Sequence, residues 1–414
     1  MTIDAVAAAW WARDGFDCGP QGRLRIAGWD AETLAHEHGT PIIAYDLGRI
    51  SEKALQFRHE LTRSGLPFRL RFALKANREP VVLAVLRAVG APGASDAVGI
   101  DACSPGEVTH ALAHGWLASE ISFTATNVSE RDLDVLLPTG VHLNLDAVSQ
   151  VERVGRRAPG STIGLRVNPG AGVGYNEILE YSGERPTKFG IYADRLPDAL
   201  AAARGHGLVI DTVHCHAGSG WLADGLAAFE VSLERVVAMT RTLVDAGCPI
   251  VEVNVGGGLG VPARADEPPI DLPAYVDVLV RHLGPLDVIV GCEPGDYIVK
   301  DGAVMLAEVV TVEDRGGTRF VGLDTGWNAD CGHFVYGFAK EIVPVATPTA
   351  ERPLRVTVAG NINEAGDLFA VDYPMAPVAE GDIVALLWAG GYLQAMSSHH
   401  CLREPARAVF LERP

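Results

Sequence analysis

The stretch FRLRFALKAN, residues 68–77, decides how this chain is read. Its apolar residues alternate with Arg69 and Arg71, run on through Phe72, Ala73 and Leu74, and stop at Lys75. A lysine that ends an apolar run is ordinarily a solvated charge on a rim. Whether Lys75 is more than that depends on what the rest of the chain builds around it.

Seven further short apolar runs follow: GIDAC (99–103), EISFTA (120–125), VHLNLD (141–146), TIGLRVN (162–168), VIDTVHCH (209–216), IVEVNV (250–255) and DVIVGCE (287–293). Segments with apolar residues at helical spacing lie between them, among them EPVVLAVLRAVG (79–90), SPGEVTHALAHG (104–115) and AFEVSLERVVAMTRTLVDAG (228–247). Strand–helix alternation calls for a parallel sheet with helical crossovers. Eight units within residues 68–293 match a (β/α)8, TIM-like barrel, with an open doubly wound sheet as the alternative. After Gly295 the rhythm changes to strands with glycine-rich turns, as in residues 304–326, 352–360 and 381–392, which reads as an all-β domain. The expected division is a barrel over 45–295 and a β-domain from 1–44 and 296–414, the early segment GRLRIAGWD (22–30) adding a strand to it. Residues 170–190, GAGVGYNEILEYSGERPTKFG, are too long for a plain connector and read as an active-site loop.

The 414 residues carry 34 basic and 52 acidic side chains, a net charge of −18. That balance argues against nucleic acid or an anionic membrane as partner. The opening MTIDAVAAAWW lacks a basic start and carries Asp4, so neither a signal peptide nor a membrane span is expected. Seven scattered cysteines without a CxxC pair fit reduced thiols in the cytoplasm.

In barrels of this kind the chemistry sits at the C-terminal ends of the strands. Those ends carry Lys75, then His214-Cys215-His216-Ala-Gly-Ser219, then Gly256-Gly257-Gly258, then Glu293-Pro-Gly. Each has a plain reading: a rim charge, a structural histidine, a flexible turn. GGGLG lacks the GxGxxG spacing of a dinucleotide site, and the His-Cys-His neighbours point apart on a strand, so no metal is expected there. Taken together they suit one ligand. Glycines at a strand-seven loop let backbone amides close on a phosphate. A lysine amine condenses with an aldehyde, a carboxylate keeps a pyridine nitrogen protonated, and an imidazole lies flat on an aromatic ring. That set describes pyridoxal 5′-phosphate (PLP).

The ordered motifs FALKAN (72–77), HCHAGSG (214–220), VNVGGGLG (253–260), CEPG (292–295), NEAGD (363–367) and AGGY (389–392) resemble those of the fold-type III PLP decarboxylases. The diaminopimelate decarboxylases are the nearer relatives and the ornithine decarboxylases the more distant. The resemblance runs from about residue 40 to the C-terminus. It implies an alanine racemase-like PLP barrel, a C-terminal β-domain and a head-to-tail homodimer with shared active sites. Position by position it implies that Lys75 carries the cofactor and that His216 stacks on its ring. Ser219, Gly256, Gly257 and Gly258 would cradle the phosphate, and Glu293 would pair with the pyridinium. Tyr392 would reach the phosphate from the other subunit, and Glu364, likewise from the other subunit, would meet the substrate's far amine.

The sequence departs from the family pattern in three places. Asn363 stands where the family has a catalytic cysteine, so the proton donor changes, and His400 or Cys401 in the tail MSSHHCLREP are candidates. Asp296 replaces an arginine, and Gly332, four residues before the retained Tyr336, replaces another. Arginine reads carboxylates bidentately and aspartate cannot. The expected substrate is therefore a diamino acid with a cationic or neutral far end, such as lysine, ornithine or a conjugated diamino acid, rather than meso-diaminopimelate. Arg403 filling the gap from another direction is the alternative. His399-x-Cys401 has the spacing of a zinc site in PLP eliminating enzymes, a further alternative, as are an amino-acid racemase and an inactive regulatory paralogue.

Overall fold

The computed structural model describes residues 9–414 apart from 92, 95 and 184. The first eight residues of the opening segment, on which the reading of the N-terminus rests, lie outside the described residues. The chain divides into two compact units. One comprises Lys53–Val261 and Pro268–Tyr297; the other comprises the described residues up to Glu52, Pro262–Glu267 and Ile298–Pro414.

The first unit is a closed barrel. Its eight strands, in order, are Phe68–Ala73, Val98–Ala102, Ile121–Ala125, His142–Leu145, Thr162–Asn168, Val209–His214, Glu252–Asn254 and Ile289–Cys292. Each pairs in parallel with the next, and Ile289–Cys292 pairs back onto Phe68–Ala73 to complete the ring. The eight runs of the sequence thus form the eight strands. Helices cover the outside and side chains fill the inside, so almost every strand residue is buried, which is why the runs show little alternation. A ninth short strand, Ile191–Tyr192, attaches beside the fifth and carries no signal of its own in the sequence.

Polar residues embedded in these strands are paired inside the barrel, as burial demands. Arg71 grips Glu252 through Nη1 and Nη2 at 2.6 and 3.2 Å, and Arg69 adds a third contact at 2.6 Å. Asn144 donates to the hydroxyls of Ser122 and Thr124, at 2.9 Å each. Only at the C-terminal ends do the polar residues gather into a second, chemically distinct group.

The second unit is built on a sheet of Ile342–Pro344, Ile383–Leu386, Ala303–Arg315, Thr318–Leu323, Leu354–Ala359 and Leu368–Met375, with Ile42–Asp46 and Arg407–Leu411 added. Ala303–Arg315 organises it. Its first half pairs with Ile42–Asp46 and Ile383–Leu386, and its second half with Thr318–Leu323. The early segment GRLRIAGWD forms two short strands within this unit. Leu24–Ile26 and Trp29–Asp30 join Phe16–Cys18 in a separate three-stranded ribbon, and the early strand that enters the large sheet is Ile42–Asp46. All five residues of that strand are buried, whereas Trp29 is exposed. A central position selects the run that is apolar on both faces.

Candidate active site

Lys75 stands just past the first strand, in a single helical turn over Leu74–Ala76. Its Nζ lies 2.6 Å from Oδ2 of Asp101, at the end of the second strand. The lysine side chain is 38% exposed and the aspartate 4%, so the amine is reachable while its partner is walled in. Burial and the negative charge of Glu293 push the Asp101 carboxyl up to about 6, against the opposing pull of Lys75.

Glu293 ends the eighth strand and is buried. His214 Nε2 lies 2.9 Å from its Oε2, and the Asn254 amide donates to Oε1 at 2.6 Å. Burial alone would raise this carboxyl. The charge and hydrogen bond of His214, with Arg71 and Lys75 beyond, outweigh it and hold Glu293 down at about 2. Glu293 is therefore held as an anion, within electrostatic reach of Lys75.

His216 is displaced from the sixth strand by the turn that follows it. Its Nδ1 accepts the Gly257 N–H at 3.3 Å, so the proton sits on Nε2, which lies 3.3 Å from the Ser219 hydroxyl. Burial, with Arg166, Lys75 and His214 nearby, drives its pKa well below the ordinary value, and the ring is neutral and flat. The two histidines of the His-Cys-His run thus serve different partners. Among the described residues no group of three or more His, Cys, Asp or Glu stands close enough to hold a metal ion.

The triglycine turn is where the sixth, seventh and eighth strand ends meet. A Cβ on Gly257 would lie 2.1 Å from the carbonyl oxygen of Glu293, and one on Gly258 would lie 2.0 Å from that of Gly218. Gly256 and Gly258 also have φ of +70° and +104°, which side chains rarely adopt. Only bare backbone fits, which is the requirement for amides to close on a phosphate. An exposed primary amine, a neutral flat imidazole, a buried anion and a side-chain-free turn with a hydroxyl beside it fit PLP.

The remaining candidates other than Asp296 lie on the second unit. Tyr336 ends a short helix, Gly332–Tyr336, and its hydroxyl lies 3.7 Å from the sulfur of Met396. Phe334 of that helix is exposed and stacks on Trp327 at 6.1 Å, and His400 stacks on Trp327 at 5.0 Å. The Glu364 carboxylate lies 3.5 Å from His400 Nε2. Asn363 and Cys401 are exposed, and Tyr392 adopts a φ of +66°. Asp296 belongs to the barrel unit and opens the turn Asp296–Val299 directly after Glu293-Pro-Gly.

The strand-end pattern points to His214 without giving it a role, and it does not point to Asp101, Asn254 or Arg166. Each is a polar residue one or two positions before the end of its run, a signal available in GIDAC, TVHCH, EVNV and GLRVN.

Fold and site together define a pyridoxal-binding barrel enzyme. The chain belongs to the family of pyridoxal-dependent decarboxylases: the pyridoxal binding domain matches residues 47–300 and the C-terminal sheet domain residues 276–390. It is accordingly a PLP-dependent carboxy-lyase. The diaminopimelate decarboxylase of Methanothermobacter thermautotrophicus is 33% identical over 402 residues, covering 95% of this chain and 91% of its own. That of Escherichia coli K12 is 30% identical over 394 residues, covering 89% and 87%. The diaminopimelate decarboxylase of Helicobacter pylori, crystallised with L-lysine, superposes with a TM-score of 0.83 at 25% identity, covering 92% of this chain and 94% of that one. The lysine/ornithine decarboxylase of Vibrio vulnificus shares the fold, with a TM-score of 0.77 at 19% identity over 92% and 97%. No helix among the described residues is long and apolar enough to cross a membrane.

Proposed function

We propose that this enzyme decarboxylates a diamino acid whose far end is cationic or neutral, such as lysine, ornithine or a conjugated diamino acid, in preference to meso-diaminopimelate. One observation carries the reading. Asp296 and Gly332 occupy the two positions where the resemblance calls for carboxylate-reading arginines. An added carboxylate and a missing guanidinium both disfavour a second substrate carboxylate. The exposed Phe334–Trp327–His400 stack, with Glu364 beside it, offers aromatic faces and a negative charge, which favour an ammonium group.

In this reading Lys75 carries the cofactor aldehyde, and Asp101 holds its Nζ in place when the amine is free. PLP, when bound, supplies the electron sink for the pair left on Cα as CO2 departs. Glu293, kept an anion with His214 and Asn254 on its two oxygens, would pair with the protonated ring nitrogen. His216 would lie against the ring, and Ser219 and Gly256–Gly258 would receive the phosphate. Asn363 carries no acidic proton, so His400, with Glu364 beside its Nε2, would be the candidate to return one to Cα, with Cys401 as the alternative donor. Tyr336 lines the substrate's side. The chain acts as a cytoplasmic homodimer with shared sites, Tyr392 reaching the partner's phosphate.

The names of the relatives favour a second reading, diaminopimelate decarboxylase proper, with Arg403 in the same tail as the carboxylate reader. The two are separated by measuring CO2 release from L- and D-lysine, L- and D-ornithine and meso-diaminopimelate. A higher kcat/KM for a cationic substrate supports the proposal, and a clear preference for meso-diaminopimelate overturns it.

A further inference from the structure

Residues 170–190 are laced to the turn that carries His216. Val173 and Tyr181 donate their N–H groups to the Ala217 carbonyl at 3.4 and 3.3 Å, and Tyr175 donates to Ser219 at 2.9 Å. Ser219 N–H donates back to the Leu179 carbonyl at 2.9 Å. The approach is as close as backbone allows: a Cβ on Gly218 would lie 2.1 Å from the Val173 carbonyl oxygen. The far end is tied to the fifth strand, where the Asn168 amide donates to the Phe189 carbonyl at 2.7 Å and Ser182 donates to Asn168 at 2.6 Å. Such a segment is a strut between two strand ends.

The strut brings one ring to the site. The Tyr181 ring lies 5.2 Å from that of His216, tilted by 37°. Behind it Phe189 meets Tyr181 edge-on at 5.2 Å, and the buried Arg166 guanidinium lies 4.5 Å from the Phe189 ring. A continuous line of contacts therefore runs from the end of the fifth strand to the imidazole.

His216 needs such a brace. Its two hydrogen bonds, to Gly257 N–H and the Ser219 hydroxyl, are both 3.3 Å, at the long end of the range. Two long bonds at the ring nitrogens hold the ring weakly against tilting about the line joining them. A second ring packed beside it restricts that tilt.

We infer that Tyr181 is a positioning residue that fixes the tilt of His216 and thereby the ring face offered to the cofactor. The inference rests on His216 being the residue against the cofactor ring. It requires the aromatic ring of Tyr181 and not its hydroxyl.

The test compares Tyr181→Leu, Tyr181→Phe and His216→Ala with the holoenzyme, reading the circular dichroism induced in the cofactor's visible band and the cofactor dissociation constant. Tyr181→Leu should change the induced signal and weaken cofactor binding about two- to tenfold, the range of an aromatic pair contact. Tyr181→Phe should restore both to within twofold. An unchanged Tyr181→Leu signal, or a Phe variant as impaired as the Leu variant, overturns the inference. If His216→Ala itself leaves both readouts unchanged, the assignment of His216 fails instead. Should Tyr181→Leu not fold, Phe189→Leu loosens the brace from behind and must shift the same signal in the same direction; no shift overturns the inference.

Discussion

Replacing Gly257 by alanine tests how the cofactor cradle is built. The added methyl carbon would stand 2.1 Å from the Glu293 carbonyl oxygen and 2.9 Å from its carbonyl carbon, where ordinary contact begins at 3.4 Å. The obstacle is backbone, held by the Glu293 N–H to Gly256 carbonyl bond of 2.7 Å, so no side chain can swing aside. The seventh and eighth strand ends must part by more than about 1 Å, carrying away Glu293 and the Gly257 N–H that His216 accepts. Overpacking of this kind costs about 1–3 kcal/mol, and an immovable neighbour places it at the upper end. About 3 kcal/mol corresponds to a loss of roughly 100-fold in cofactor affinity if it falls wholly on binding, and to a fall in Tm on the order of 5–10 °C if it falls on folding. Cofactor titration and thermal unfolding of the same samples measure both. Gly205→Ala is the control: nothing lies within 4 Å of its added carbon, and it ends the helix Leu196–Gly205, so no loss is expected. A Gly257→Ala protein with affinity and Tm within error of the parent would refute the reasoning.

Three other perturbations follow from the charges. The folded Asp101 carboxyl titrates near 6, above its unfolded value, so its contribution is intact below about pH 4 and is lost as pH rises through 6, a change of roughly 3 kcal/mol. Asp101→Asn should therefore gain in urea midpoint over the parent, in cofactor-stripped protein, on going from pH 4.5 to 7.5; a constant difference contradicts the shift. Glu293→Gln removes the anion and should lower kcat about 10²- to 10³-fold, the scale of one preorganised charge-stabilising contact. Retention of kcat within fivefold would exclude that role. Combining Gly332→Arg with Asp296→Arg should raise kcat/KM for meso-diaminopimelate relative to lysine at least tenfold, because each charge-assisted pair adds about 1.5–3 kcal/mol. The Gly332 site has room, since an added Cβ meets Asp330 Oδ1 at 3.4 Å. An unchanged ratio would locate substrate selection elsewhere.

The barrel was legible because its strands are buried on both faces and short, so each appears as an unbroken apolar run. Lys75, the triglycine and Glu293 stood out as groups that end such runs. What could not be read is who pairs with whom. The grip of Arg71 on Glu252 spans 181 residues, and that of Asn254 on Glu293 spans 39. These contacts depend on how neighbouring strands are staggered, which no local pattern encodes. The same limit hid Asp101, whose place beside Lys75 follows from the parallel pairing of Ala73 with Asp101. GRLRIAGWD was legible as strand, but that its two strands form a ribbon with Phe16–Cys18 beside the large sheet depends on pairing partners that the local pattern does not name. Residues 170–190 were recognisable as more than a connector by length, but their work as a strut depends on glycine contacts at 218 that sequence spacing does not reveal.

Everything said of the site depends on the Lys75 amine holding the pyridoxal aldehyde, and one measurement addresses that link. Borohydride treatment of the purified holoprotein, followed by proteolysis and mass spectrometry, traps the coenzyme on the residue that bears it. The pyridoxyl mass should appear on the peptide containing Phe72–Asn77, at Lys75 and in a yield matching the visible absorbance lost. The label on another lysine, such as Lys188 or Lys300, or a coloured protein that takes up no label, would contradict the account.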